Sequence, residues 1–164
     1  LITPSQFSKE TILTAITAIK RPSILSQTLE EAFPNVDPGV TPFGSLVLIQ
    51  VKAAAMKTKQ GLILTSETIE TESDNTRVAK IIAMGPLAFH TRDTQTPWPE
   101  GNWVEPGDYV RIPIYGGDRW RVLVGEVKGP KGDTTKIFAE FALIEDLQLK
   151  GKITGDPLAQ LAFL

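Results

Sequence analysis

The only histidine in the chain, His90, limits most of the chemistry the sequence can support. A single imidazole cannot make a paired-histidine metal site, and in a loop it reads as solvated or structural. Three carboxylates, Glu67, Glu70 and Glu72, are spaced closely enough to suggest a cluster. They stand among Thr and Ser with no His or Cys beside them, so the pattern is that of a solvated face. The functional alternative is a weak divalent-cation site. Cysteine is absent, which removes thiolate ligands and any disulfide frame. Gly125, Gly129 and Gly132 lack phosphate-loop spacing, and no Gly-Lys-Ser/Thr follows a strand. Lys52, Lys57 and Lys59 have no interleaved aromatics of the kind that build a nucleic-acid groove. These residue types imply no catalytic group, no cofactor and no metal.

Composition points the same way. The 164 residues carry 17 Lys and Arg against 19 Asp and Glu, a formal net charge of −2. Neutralising many phosphates needs a basic excess, so nucleic acid is not the expected partner. No apolar run approaches the ~20 residues of a membrane-spanning helix. Leu1-Ile2-Thr3-Pro4 lacks the basic-then-apolar order of a signal peptide. With 41% hydrophobic residues, one core is affordable in a single domain with appendages.

The elements fall into three stretches. Residues 1–42 are expected to form a helical arm ending in a Pro-rich linker. Within it Ser8 can cap a helix over residues 9–20, with Phe7 and Ile12 in the staple positions. Ile12, Ile16 and Ile19 then share one apolar face. A second helix, 23–33, is expected between Pro22 and Pro34, and the prolines and glycine of 35–42 mark a boundary. Residues 43–153 change to period two, with strands expected over 46–51, 78–84, 109–114, 119–127 and 134–144. Pro113 places the third of these at an edge or ends it. Residues 125–133 read as a flexible tip. Trp98 and Trp103 stand in a long polar loop, either tacking it to the barrel or offering a contact platform. Residues 154–164 form a tail whose Leu158, Leu161, Phe163 and Leu164 are too apolar for water. Gly61-Leu62-Ile63-Leu64 is ambiguous: three apolar residues beside a Thr/Ser/Glu-rich stretch complete a core strand or are offered to a partner.

In order and spacing these segments resemble the GroES co-chaperonin family, most closely its bacteriophage-encoded members. Pro42 precedes the strand containing Val47, and Gly61-Leu62-Ile63-Leu64 is similar to the Gly-Ile-Val-Leu of the family's mobile loop. Lys80-Ile81-Ile82-Ala83-Met84-Gly85, Pro106-Gly107-Asp108-Tyr109-Val110, Tyr115-Gly116-Gly117 and Asp146-Leu147 follow in the family's order. Ser45 and Leu46 depart from the usual Asp-Arg, and Ala79 from a common Gly. The loop holds one glycine, Gly61, where the family has several. The resemblance implies a mainly β chain: a small, partly open GroES-like β-barrel with an N-terminal helical arm and a C-terminal extension. It also implies that Leu62, Ile63 and Leu64 would dock on a chaperonin ring.

Two functions are expected from this reading. In one, the chain is a non-enzymatic virion structural protein, a capsid cement or decoration protein. Its partners are other copies of itself and virion proteins such as the major capsid protein, bound through Ile12, Ile16, Ile19, Leu158, Leu161, Phe163 and Leu164. In the other, it is a co-chaperonin anchored by Leu62 to Leu64. Both place it in the virion or the infected-cell cytoplasm. The helices have a plainer reading too, as cover for a barrel edge of their own subunit.

Overall fold

The computed structural model describes residues 25–55, 57–58, 77–128, 132 and 134–160. Its centre is β2 (Leu46–Val51), whose Leu-Val-Leu-Ile-Gln-Val sequence is buried on both faces beyond its first residue. A strand so apolar cannot lie at an edge. It pairs antiparallel with β4 (Val78–Met84) on one side and β7 (Thr134–Glu145) on the other. β5 (Tyr109–Arg111) and β8 (Gly151–Lys152) continue the sheet past β4, and β6 (Asp118–Lys128) continues it past β7. The result is one six-stranded antiparallel sheet, ordered β6-β7-β2-β4-β5-β8 and not closed. A separate two-stranded pairing joins β1 (Leu25–Ser26) to β3 (Lys57–Thr58). The chain is mainly β, with little helix.

Each face of the sheet is covered by chain that is not strand. On one face Val47, Ile49, Val51, Ile81, Val110 and Ile144 make the principal core. The long loop after β4 closes over them and inserts Phe89, Trp98 and Trp103. The rings of Trp98 and Trp103 lie 4.9 Å apart, and Phe89 meets Trp98 edge-on at 5.5 Å. These tryptophans therefore tack the loop down, the first of the two alternatives raised by the sequence.

The opposite face is crossed by a strap, residues 27–40. The helix expected over 23–33 is reduced to α1 (Leu29–Ala32), while Leu25 and Ser26 are extended. The reason is local. Thr28 caps the helix, accepting the Glu31 N–H at 3.2 Å while Glu31 Oε2 accepts the Thr28 N–H at 3.1 Å. Only five residues then separate this cap from Pro34, which cannot continue a helix. One turn is not stable by itself; it is held because Ala32 and Phe33 pack on Val78, with the Phe33 and Tyr109 rings 5.2 Å apart.

Beyond Pro34 the strap runs over the sheet towards β6. Gln50 is 3% exposed in the middle of β2, and its Nε2 donates to the Pro34 carbonyl at 2.8 Å. Val36 packs in the cluster of Leu48, Ala139 and Phe141. The Trp120 indole N–H then donates to the Pro38 carbonyl at 3.0 Å. Part of the stretch read as a stiff boundary lies on the sheet that follows it, through Val36 and Pro38.

Candidate interaction surface

The long hairpin is the part of the sheet that is not covered. β7 pairs with β2 only from Glu140 to Glu145, because β2 ends at Val51. Among the described residues, 134–139 therefore have one strand neighbour, β6, and no described strand pairs with its outer edge. Six residues at about 3.3 Å each carry this ribbon roughly 20 Å past the third strand. The segment expected as a flexible tip from Gly125 is strand through Lys128, paired in register to Thr134. What the alternation could not reveal is a bulge: Leu123 pairs with Phe138 and Gly125 with Ile137, leaving Val124 as the extra residue. A bulge of this type turns the side chains of two successive residues towards one cross-strand partner.

Leu123, Val124 and Phe138 are brought together in this way, and they are 50%, 41% and 41% exposed. Two strands without a third are marginal in water, and apolar side chains left exposed on them forgo burial. Completing the burial of these three would contribute about 3 kcal/mol, taking each as half-buried already. Arg121, Glu126 and Lys128 on the same strand are exposed, so the patch is ringed by mixed charge. A polar rim around an apolar centre suits a protein contact. The one sequence signal was length: β6 and β7 run to 11 and 12 residues against six in β2, so their far ends outreach it.

Of the residues proposed from sequence for partner binding, Leu158 lies within the described part of the chain. It follows Asp156, whose carboxylate caps the short 3-10 turn Pro157–Ala159 by accepting the Leu158 N–H at 2.9 Å. Its side chain is half-buried against Ala32, Phe33 and Val78, with Tyr109 and Ile153 alongside. Leu62, Ile63, Leu64, Ile12, Ile16, Ile19, Leu161, Phe163 and Leu164 lie outside the described residues. His90 sits in the long loop, bridged to Pro97, with Nδ1 2.8 Å from the Ala88 carbonyl. Among the described residues no three His, Asp or Glu side chains are grouped as metal ligands would be, and no helix is long and apolar enough to cross a membrane.

Among the described residues one carboxylate, Asp108, has shifted acidity. The Glu105 N–H bonded to Asp108 Oδ2 at 2.9 Å holds the Asp108 carboxyl below its usual range. Partial burial opposes that shift, and Lys152, 3.2 Å away, adds to it. The effect is structural: it fastens β8 to the turn before β5. No protein-family model matches this chain, and no curated protein matches it in sequence.

Proposed function

We propose that the chain is a non-enzymatic structural or assembly protein of a bacteriophage particle, a GroES-like barrel acting as a capsid cement or decoration protein. Its partners are further copies of itself and virion proteins such as the major capsid protein. The observation that carries this reading is the uncovered ribbon with Leu123, Val124 and Phe138 on one patch. The barrel reading has support in the connection between β5 and β6. Six residues, 112–117, join strands four places apart in the sheet. Four inter-strand spacings are about 19 Å, a large share of the reach of six extended residues, which favours a curled sheet. Arg119 braces this connection by donating to the Pro113 carbonyl at 3.2 Å.

The test is mass spectrometry of purified particles produced with the wild-type chain or with Phe138→Asp. The wild-type protein is expected at stoichiometric level and the variant reduced at least tenfold. Absence of the wild-type chain from particles sinks the structural role.

The co-chaperonin reading stands second, favoured by Gly61-Leu62-Ile63-Leu64 in the family's order of motifs. On that reading a host chaperonin ring with nucleotide captures the wild-type chain and not Ile63→Asp. Equal capture of the two rejects it.

A further inference from the structure

A second surface, on different strands from the ribbon, has a chemistry that the assembly reading does not use. Arg77, Arg111 and Lys150 line one groove of about 500 Å³ together with Pro113, Ile114 and Tyr115. The three cations occupy neighbouring positions across β4, β5 and β8. Val78 pairs with Arg111, and Arg111 with Gly151. The Ile112 N–H donates to the Arg77 carbonyl at 2.8 Å, and the Lys150 N–H to the Arg111 carbonyl at 3.0 Å. The backbone register thus brings three cationic residues to one end of the sheet, where a single extended anionic segment could reach more than one of them. Among the described residues no carboxylate lines the groove. The described ion pairs are Arg92 with Glu145, Arg119 with Glu140 and Lys152 with Asp108. The Arg111 guanidinium donates to a neutral partner, Gln160 Oε1, at 2.8 Å. All this occurs in a chain whose net charge is −2, so the cations are not a general excess.

The remaining wall of the groove is apolar and includes Tyr115, 86% exposed. A phenol ring held open beside cations provides a flat apolar contact at low entropic cost. We infer that this groove binds an acidic peptide segment of a partner protein. Carboxylates of the segment meet Arg77, Arg111 and Lys150, and an apolar side chain between them lies against Tyr115 and Pro113. Arginine favours this assignment because its planar fork takes a carboxylate through two hydrogen bonds. Nucleic acid fits less well, since three cations in a net acidic protein give a small electrostatic footprint. The inference rests on the chain being an interaction protein but not on which assembly it joins.

The experiment is fluorescence anisotropy with the full chain and three labelled probes. These are a ten-residue peptide of Glu and Asp flanking one Phe and one Leu, its counterpart with Lys at every acidic position, and a ten-nucleotide oligo-dT. The acidic peptide is expected to bind, more weakly as salt rises, and the lysine peptide is not. Arg77→Glu and Lys150→Glu are each expected to weaken binding at least tenfold with the melting temperature held within a few degrees. Tyr115→Ser weakens it severalfold while leaving the salt dependence unchanged. Equal binding of the acidic and lysine peptides, tighter binding of oligo-dT, or indifference to both charge reversals overturns the inference. So does binding that appears only when Glu67, Glu70, Glu72 and Asp74 are replaced by their amides, since the chain's own acids would then be the occupant. Phe138→Asp is expected to bind the peptide normally, so failure at the groove is distinguishable from failure of the assembly reading.

Discussion

Asp146 Oδ2 accepts the backbone N–H of Phe89 at 2.9 Å, joining the end of β7 to a loop 57 residues earlier. Asp146 is 3% exposed, and its other oxygen accepts the Leu147 N–H at 2.8 Å. Phe89 has φ +61°, a left-handed conformation that L-residues other than Asn and Asp rarely adopt. The carboxylate holds that backbone while the ring, wholly buried, meets Trp98 and Trp103. One acid therefore sets the geometry of the loop that covers the principal core.

Asp146→Ala is expected to destabilise the protein by about 2–3 kcal/mol, because it strands a buried N–H and frees a strained residue. Urea unfolding followed by tryptophan fluorescence reads the loss. Trp98 and Trp103 should also report a changed environment before unfolding; an unchanged midpoint refutes the role given to Asp146.

Two glycines are required by their surroundings. At Gly85 a Cβ would collide with the Gly44 carbonyl, where the chain entering β2 meets the chain leaving β4. At Gly117 φ is +78° and a Cβ would come within 2.5 Å of the Leu143 carbonyl oxygen. Gly85→Ala and Gly117→Ala are each expected to cost about 2 kcal/mol or more, whereas Gly155→Ala, in open space, should cost under about 0.5 kcal/mol. Thermal melts of the three variants side by side make the comparison.

The strap depends on two side chains reaching it from the sheet. Gln50→Leu fills similar volume but leaves the Pro34 carbonyl without its donor, and Trp120→Phe removes the N–H given to Pro38. Each is expected to cost about 1–2 kcal/mol. Hydrogen exchange across 34–40 and the strands beneath should rise in both variants before global unfolding. Exchange that rises uniformly over the whole chain instead would mean the strap is not a separate unit.

Asp108 supplies the acid sensitivity of the β5–β8 edge. Its folded carboxyl titrates below the unfolded one, so its contribution is complete above the ordinary carboxylate range and disappears as pH falls through the depressed value. Asp108→Asn should therefore be less stable than wild type at pH 7, with the difference shrinking as pH falls below the ordinary carboxylate range. A difference that stays constant across that range assigns the effect to something other than titration.

Ribbon substitutions should separate stability from assembly. Leu123→Asp and Phe138→Asp remove half-buried apolar side chains and are each expected to cost about 1 kcal/mol, leaving the protein folded. They should nevertheless abolish any concentration-dependent association of the chain. Light scattering across a hundredfold concentration range makes the measurement, and association that survives both substitutions excludes the patch.

By itself the sequence determined the strands. Leu46–Val51, Val78–Met84 and the start at Tyr109 follow from local apolar runs and from Gly and Pro at their ends, information carried within a few residues. For Trp98 and Trp103 the sequence offered two roles, tacking the loop or a contact platform, and their packing on Phe89 and the core decided the first. Tertiary structure decided what those elements meet. The proline stretch after Pro34 has no local preference for lying on a sheet; it lies there because Gln50 and Trp120, distant in sequence, donate to its carbonyls. The helix expected over 23–33 shrank to four residues because hydrophobic spacing does not say which residue caps it. The exposed patch at Leu123, Val124 and Phe138 was invisible to alternation, since a single bulge reassigns faces and only strand pairing reveals where β2 stops. Period and punctuation are properties of neighbours along the chain, whereas burial is a property of neighbours in space.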